Sequence, residues 1–102
     1  MTKTNPVVAK TPEALARALG LSGAESQEWQ VQHALLKKLK QVVREESLIH
    51  AEVAEKGGSS RTRVTAILNG NLDKVSTDLL IRLLSSLGYR VKVSVSRIDS
   101  AA

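Results

Sequence analysis

Apolar residues recur at helical spacing through most of this 102-residue chain and give way to strict alternation only near its C-terminal end. Residues 1–10 show no period and read as a flexible tail. Thr11-Pro12-Glu13 then starts a short helix: a hydroxyl cap, a proline whose missing N–H is harmless in the first turn, and an acid at the positive end. That helix is expected to run to Leu19 and stop at Gly20, burying Leu15, Leu19 and Leu21. Ser22-Gly23 opens a long second helix, about 24–46. At about 100° per residue, Trp29, Val31, Leu35, Leu36, Leu39, Val42 and Val43 share one broad arc. Lys37, Lys38, Gln41, Arg44 and Glu45 face away, and Gln32 is a polar interruption within the arc.

Ala51, Val53 and Ala54 predict a third, short helix over 50–56, broken by Gly57-Gly58. Ser60 caps a fourth, with Arg61, Thr62 and Arg63 in its first turn. Val64, Ile67 and Leu68 form its inward stripe at i, i+3 and i+4, and Asn69-Gly70 ends it. Residues 71–75 read as a loop. Ser76 or Thr77 caps the last helix, 78–87, which is apolar nearly all round and therefore largely buried. Gly88 stops it. "YRVKVSVSR", 89–97, alternates: Val91, Val93 and Val95 on one face, Arg90, Lys92, Ser94 and Ser96 on the other, the pattern of a half-buried strand. A lone strand leaves its backbone groups unpaired. The same strand from a two-fold partner, or the N-terminal "NPVVAK", would pair it. The expected fold is thus mainly α, five helices and a C-terminal β-strand, in one domain over 11–97 with a second flexible tail at 98–102.

Composition narrows the chemistry. With no Phe, one Trp and one Tyr, the core must be Leu, Val, Ile and Ala. With no Cys, disulfides, cysteine zinc sites and thiol catalysis are excluded, and a reducing interior suits the chain. No apolar run is long enough to span a membrane and "MTKTNPVVAKTP" lacks a signal-peptide core, so a cytoplasmic location is expected. The net charge of +5 favours a polyanionic partner. Glu45 and Glu46 are neighbours on a helix and point apart, so they share no site. His33 and His50 lack further ligands at metal spacing, and Ser47 near His50 lacks an acid and an oxyanion hole. No enzyme activity and no cofactor are expected.

Two short helices joined by a tight, glycine-containing turn form a helix-turn-helix pattern. Its second helix enters a major groove, where first-turn side chains reach base edges and amides and hydroxyls hold phosphates. Arg61 and Arg63 suit guanine or phosphate; Thr62 and Thr65 suit a thymine methyl or a phosphate oxygen. The stretch "IHAEVAEKGGSSRTRVTAILNG" resembles the Cro/repressor (XRE) helix-turn-helix family at Ala51, Glu52, Ala54, Gly58, Ser60, Val64, Ile67, Leu68 and Gly70. Its continuation "STDLLIRLLSSLGYRVKVSV" is similar to the small subgroup containing HigA-like antitoxins. The resemblance covers about 46–97, with the helix-turn-helix core at 46–70.

The resemblance implies a repressor-like DNA-binding domain in which Ser60, Arg61, Thr62, Arg63 and Thr65 face DNA. It implies that Asn69, Asn71 and Lys74, in the following loop, meet the backbone, while Glu52 and Ala54 are scaffold. The chain departs from the family at Ile49, where a capping Thr is usual, at Lys56 and Gly57, which replace apolar residues, and at Ser59, which replaces a buried Ile or Val. These departures predict weaker packing of the first helix of the motif and its turn. The function read from the sequence is a non-enzymatic transcriptional regulator, a repressor binding double-stranded DNA as a homodimer on a palindromic operator. An antitoxin that binds a small toxin and represses its own promoter is the first alternative. A protein-interaction module that has lost DNA binding is the second.

Overall fold

In the computed structural model, residues 23–97 are described; the helix expected over 11–19 lies outside them, as do both tails. Four helices follow one another: α1 (Gly23–Glu45), α2 (His50–Gly57), α3 (Arg61–Leu68) and α4 (Thr77–Ser86). Their starts follow from side-chain chemistry. Ser60 Oγ accepts the Arg63 amide at 3.1 Å and Ser76 Oγ accepts the Leu79 amide at 3.2 Å, each satisfying a donor with no partner inside the helix. Ile49 offers α2 no such acceptor. Glu52 works from the other side, its carboxylate accepting the Ile49 amide at 3.0 Å.

All four helices end alike. The amides of Leu48, Ser59, Asn71 and Tyr89 each reach back five residues, to the carbonyls of Val43, Ala54, Ala66 and Leu84, at 2.9–3.0 Å. The residue before each amide is left-handed: Ser47, Gly58, Gly70 and Gly88. Gly58 matters most, since its φ of 67° sets the corner between α2 and α3.

The core is wholly aliphatic. Leu39 and Val42 from α1, Val53 from α2, Val64 and Ile67 from α3, and Leu80, Leu83 and Leu84 from α4 are buried together. Gln32, the polar interruption of the α1 arc, acts as a clasp. Its amide donates to the Val75 carbonyl at 2.9 Å and to Thr77 Oγ1 at 3.3 Å, binding α1 to the start of α4. Val31 departs from its expected inward place and is exposed. Trp29 is half-buried and stacks on His33, ring centroids 4.0 Å apart.

Gly57 corrects the expectation of loose packing. It is buried, and a Cβ there would run into the Leu83 side chain, itself fully enclosed. The glycine therefore permits α2 and α4 to approach each other closely.

The C-terminal strand does not form among the described residues. Residues 89–97 have no ladder partner, and Val93 and Val95 are 79% and 91% exposed instead of half-buried. The segment is secured only where it leaves α4. The Tyr89 phenol donates to Glu46 Oε2 at 2.6 Å, and Lys38 Nζ lies 5.6 Å from the ring centroid. The hydrogen bond to Glu46, with desolvation and the nearby charges of Glu46 and Glu45, raises the phenol pKa above its usual 10.0. A raised pKa favours the protonated, folded form, so this contribution is complete below the unfolded value and lost as pH rises through the folded one. Because Tyr89 is the chain's one tyrosine, alkaline absorbance titration reads it directly. The native midpoint is expected to fall in Glu46→Gln; an unchanged midpoint would remove Glu46 as the cause.

Candidate nucleic-acid interface

The site grows from the corner between α2 and α3. The turn is three residues long, Gly58-Ser59-Ser60, with Ser59 half-buried and Ser60 exposed as the cap of α3. Inward, Val64, Ile67 and Leu68 anchor α3 to the core. Outward, Arg61, Thr62 and Arg63 stand exposed in the first turn.

The electrostatics of that turn run against stability. α1, α2 and α4 each carry an acid in the first turn, Glu25, Glu52 and Asp78, where the positive end of the helix welcomes it. α3 carries none, and places two arginines there instead. Cations at a helix N-terminus cost roughly 0.3–1 kcal/mol apiece at an exposed site. The free amides and the two guanidiniums together make a concentrated positive edge, suited to an anion that also fits a groove.

Of the eight residues expected at the interface, Ser60 is the cap of α3 and six others fall into three pairs. Arg61 and Thr62 are exposed and make no side-chain hydrogen bond or ion pair among the described residues. Arg63 and Lys74 are joined: an Arg63 Nη donates to the Lys74 carbonyl at 2.9 Å. Lys74 takes a left-handed φ of 59°, which turns that carbonyl toward α3. The bond uses one guanidinium nitrogen of an exposed side chain and leaves its other donors unused among the described residues. Asn69 and Asn71 lie exposed on the connection after α3, Asn69 at the helix end and Asn71 accepting the Asp73 amide at 3.0 Å in a local turn.

Thr65 stands apart. It is half-buried, and its hydroxyl shares a 2.8 Å hydrogen bond with His50 Nδ1, tying the start of α2 to the middle of α3. Sequence reasoning missed this role for His50. No local pattern carries it, since the partners are fifteen residues apart.

Two helices at a three-residue corner, the second capped by serine and led by exposed arginines, match a recognised domain type over residues 17–96. The chain belongs to the helix-turn-helix domain family. This is a DNA-binding family whose members are typically not enzymes. No match is found among curated proteins or among solved structures. The two helices of this helix-turn-helix domain that meet at the glycine corner are α2 and α3. Among the described residues no helix is long and apolar enough to cross a membrane, and no group of three or more His, Cys, Asp or Glu side chains gathers as a metal site would.

Proposed function

We propose that this helix-turn-helix domain is a sequence-selective, double-stranded DNA-binding transcriptional regulator that acts as a symmetric dimer on a palindromic operator. Within the family, the similarity of residues 46–97 to small Cro/repressor-like regulators is consistent with that role. The observation that carries the reading is the first turn of α3: Arg61 free and Arg63 braced, both exposed, on a helix whose own stability they lower. A purely structural helix gains nothing from such a placement. Arg61 reads a base edge, Arg63 and the α3 amides take phosphates, and Asn69, Asn71 and Lys74 meet the flanking backbone. Thr65 acts indirectly, holding α2 against α3 through His50. One recognition helix reads only a few base pairs, so two copies about a two-fold axis are needed, with half-sites about 34–36 Å apart. Occupying a promoter would then repress it.

Selection of bound sequences from random duplex DNA tests this reading. It is expected to return a two-fold symmetric motif, bound with an affinity that falls steeply as salt rises. Failure to enrich any motif would favour a protein-interaction module that has kept the fold alone.

A further inference from the structure

Residues 90–97 make no backbone hydrogen bond among the described residues, although Val93 and Val95 alternate with polar side chains as in a paired strand. We propose that this segment pairs antiparallel with the same segment of a second copy, with Val93 on the two-fold axis; the inference deepens the dimeric reading above and rests on it.

The register follows from charge and face. In an antiparallel pair centred on Val93, Val93 meets Val93 and Val91 meets Val95, all on one face. On the other face Arg90 meets Ser96 and Lys92 meets Ser94, so no two cations lie opposite each other. Tyr89 meets Arg97, a cation beside an aromatic ring. Moving the centre one residue back sets Lys92 against Lys92, and a parallel in-register pair stacks Arg90 on Arg90 and Lys92 on Lys92. Moving it one residue forward sets Arg97 against Val91. The centre at Val93 alone keeps the valines together and the charges apart.

The other partner that the sequence offers matches less well. "NPVVAK" holds adjacent valines, which point to opposite faces of a strand, so only one could join the valine face. The start of the segment is ready for pairing. Tyr89 is held by Glu46 and by the Leu84 carbonyl, which fixes where the segment leaves the helices. Val91 borders a shallow groove with Ile81, Ser85 and Gly88, so Val95 of the second copy would arrive at a partly apolar edge.

Sedimentation of the full chain, compared with Val93→Lys, tests the pairing without DNA. Val93 is exposed in the single chain, so Val93→Lys leaves the helices intact, which circular dichroism checks. The parent is expected to dimerise, and Val93→Lys, which sets lysine against lysine at the axis, to self-associate at least tenfold more weakly. The absence of cysteine allows a second measurement. Under mild oxidation Val93→Cys should cross-link at least tenfold faster than Lys92→Cys, whose residue meets Ser94 in this register. A monomeric parent, a Val93→Lys dimer as tight as the parent, or equal cross-linking of the two cysteine variants would overturn the proposal. The DNA reading is scored separately: Val93→Lys should still bind a single half-site. If neither protein binds DNA while Val93→Cys cross-links selectively, the assignment of α3 fails and the strand pairing stands.

Discussion

Replacing Arg61 with alanine is expected to weaken binding to the selected operator by about 1–3 kcal/mol, roughly five- to 150-fold, and to relax discrimination at one position of each half-site. The fold should be unaffected, because the side chain is exposed and makes no hydrogen bond or ion pair among the described residues. Removing a cation from the positive end of α3 should even raise thermal stability slightly. Arg63→Ala is expected to weaken binding by a different route. It would remove the proposed phosphate contact and also release the loop held through the Lys74 carbonyl, so the loss should be nearly uniform across sequences and the salt dependence shallower. Arg63→Lys separates the two effects, since it keeps the charge and loses the planar fork. An Arg61→Ala, Arg63→Ala protein that binds the operator as tightly as the parent would show that α3 does not enter the groove.

Gly57→Val is expected to destabilise the fold by about 3 kcal/mol, the upper part of the range for overpacking a full core. In a domain of this size that lowers the thermal midpoint by roughly 10–20 °C. The resemblance to Cro/repressor domains implies an apolar residue here, so the substitution looks like a repair; the structure predicts damage. Gly57→Ala gives a milder version, since about 1 kcal/mol of improved helix propensity offsets part of the clash. The cause lies in one contact, because the new Cβ meets Leu83 and Leu83 is enclosed on all sides. Gly57→Val and Leu83→Ala should therefore couple in a double-mutant cycle, the second relieving the first. Additive losses would mean that α2 and α4 lie too far apart for this contact.

Helix positions were legible in the sequence because local chemistry states them. Ser60 and Ser76 cap where expected, and Gly58, Gly70 and Gly88 turn left-handed where the periodic patterns stop. The inward stripe Val64, Ile67, Leu68 is read from spacing alone and is buried. What escaped the sequence depends on partners distant along the chain. Gln32 looks like an error in an apolar arc until Val75 and Thr77 arrive beside it. Gly57 looks like a helix breaker until Leu83 packs against it. Thr65 looks like an open interface hydroxyl until His50 claims it. Val31 shares the periodicity of its buried neighbours and stays exposed. Alternation over 89–97 states a capacity to pair, and pairing needs a second strand that the described residues do not contain. The exposed arginines of α3 were legible because Ser60 fixes the start of the helix and the core stripe fixes its rotation.

The tether between Arg63 and Lys74 ends on a main-chain oxygen, and that has an evolutionary consequence. A carbonyl survives every substitution of its own residue, so position 74 can exchange its side chain without releasing the arginine. Residues comfortable at left-handed φ, asparagine and glycine above all, are the ones to expect there in descendants. Lineages can then drift in how the loop meets the outside world while inheriting the aim of the helix unchanged.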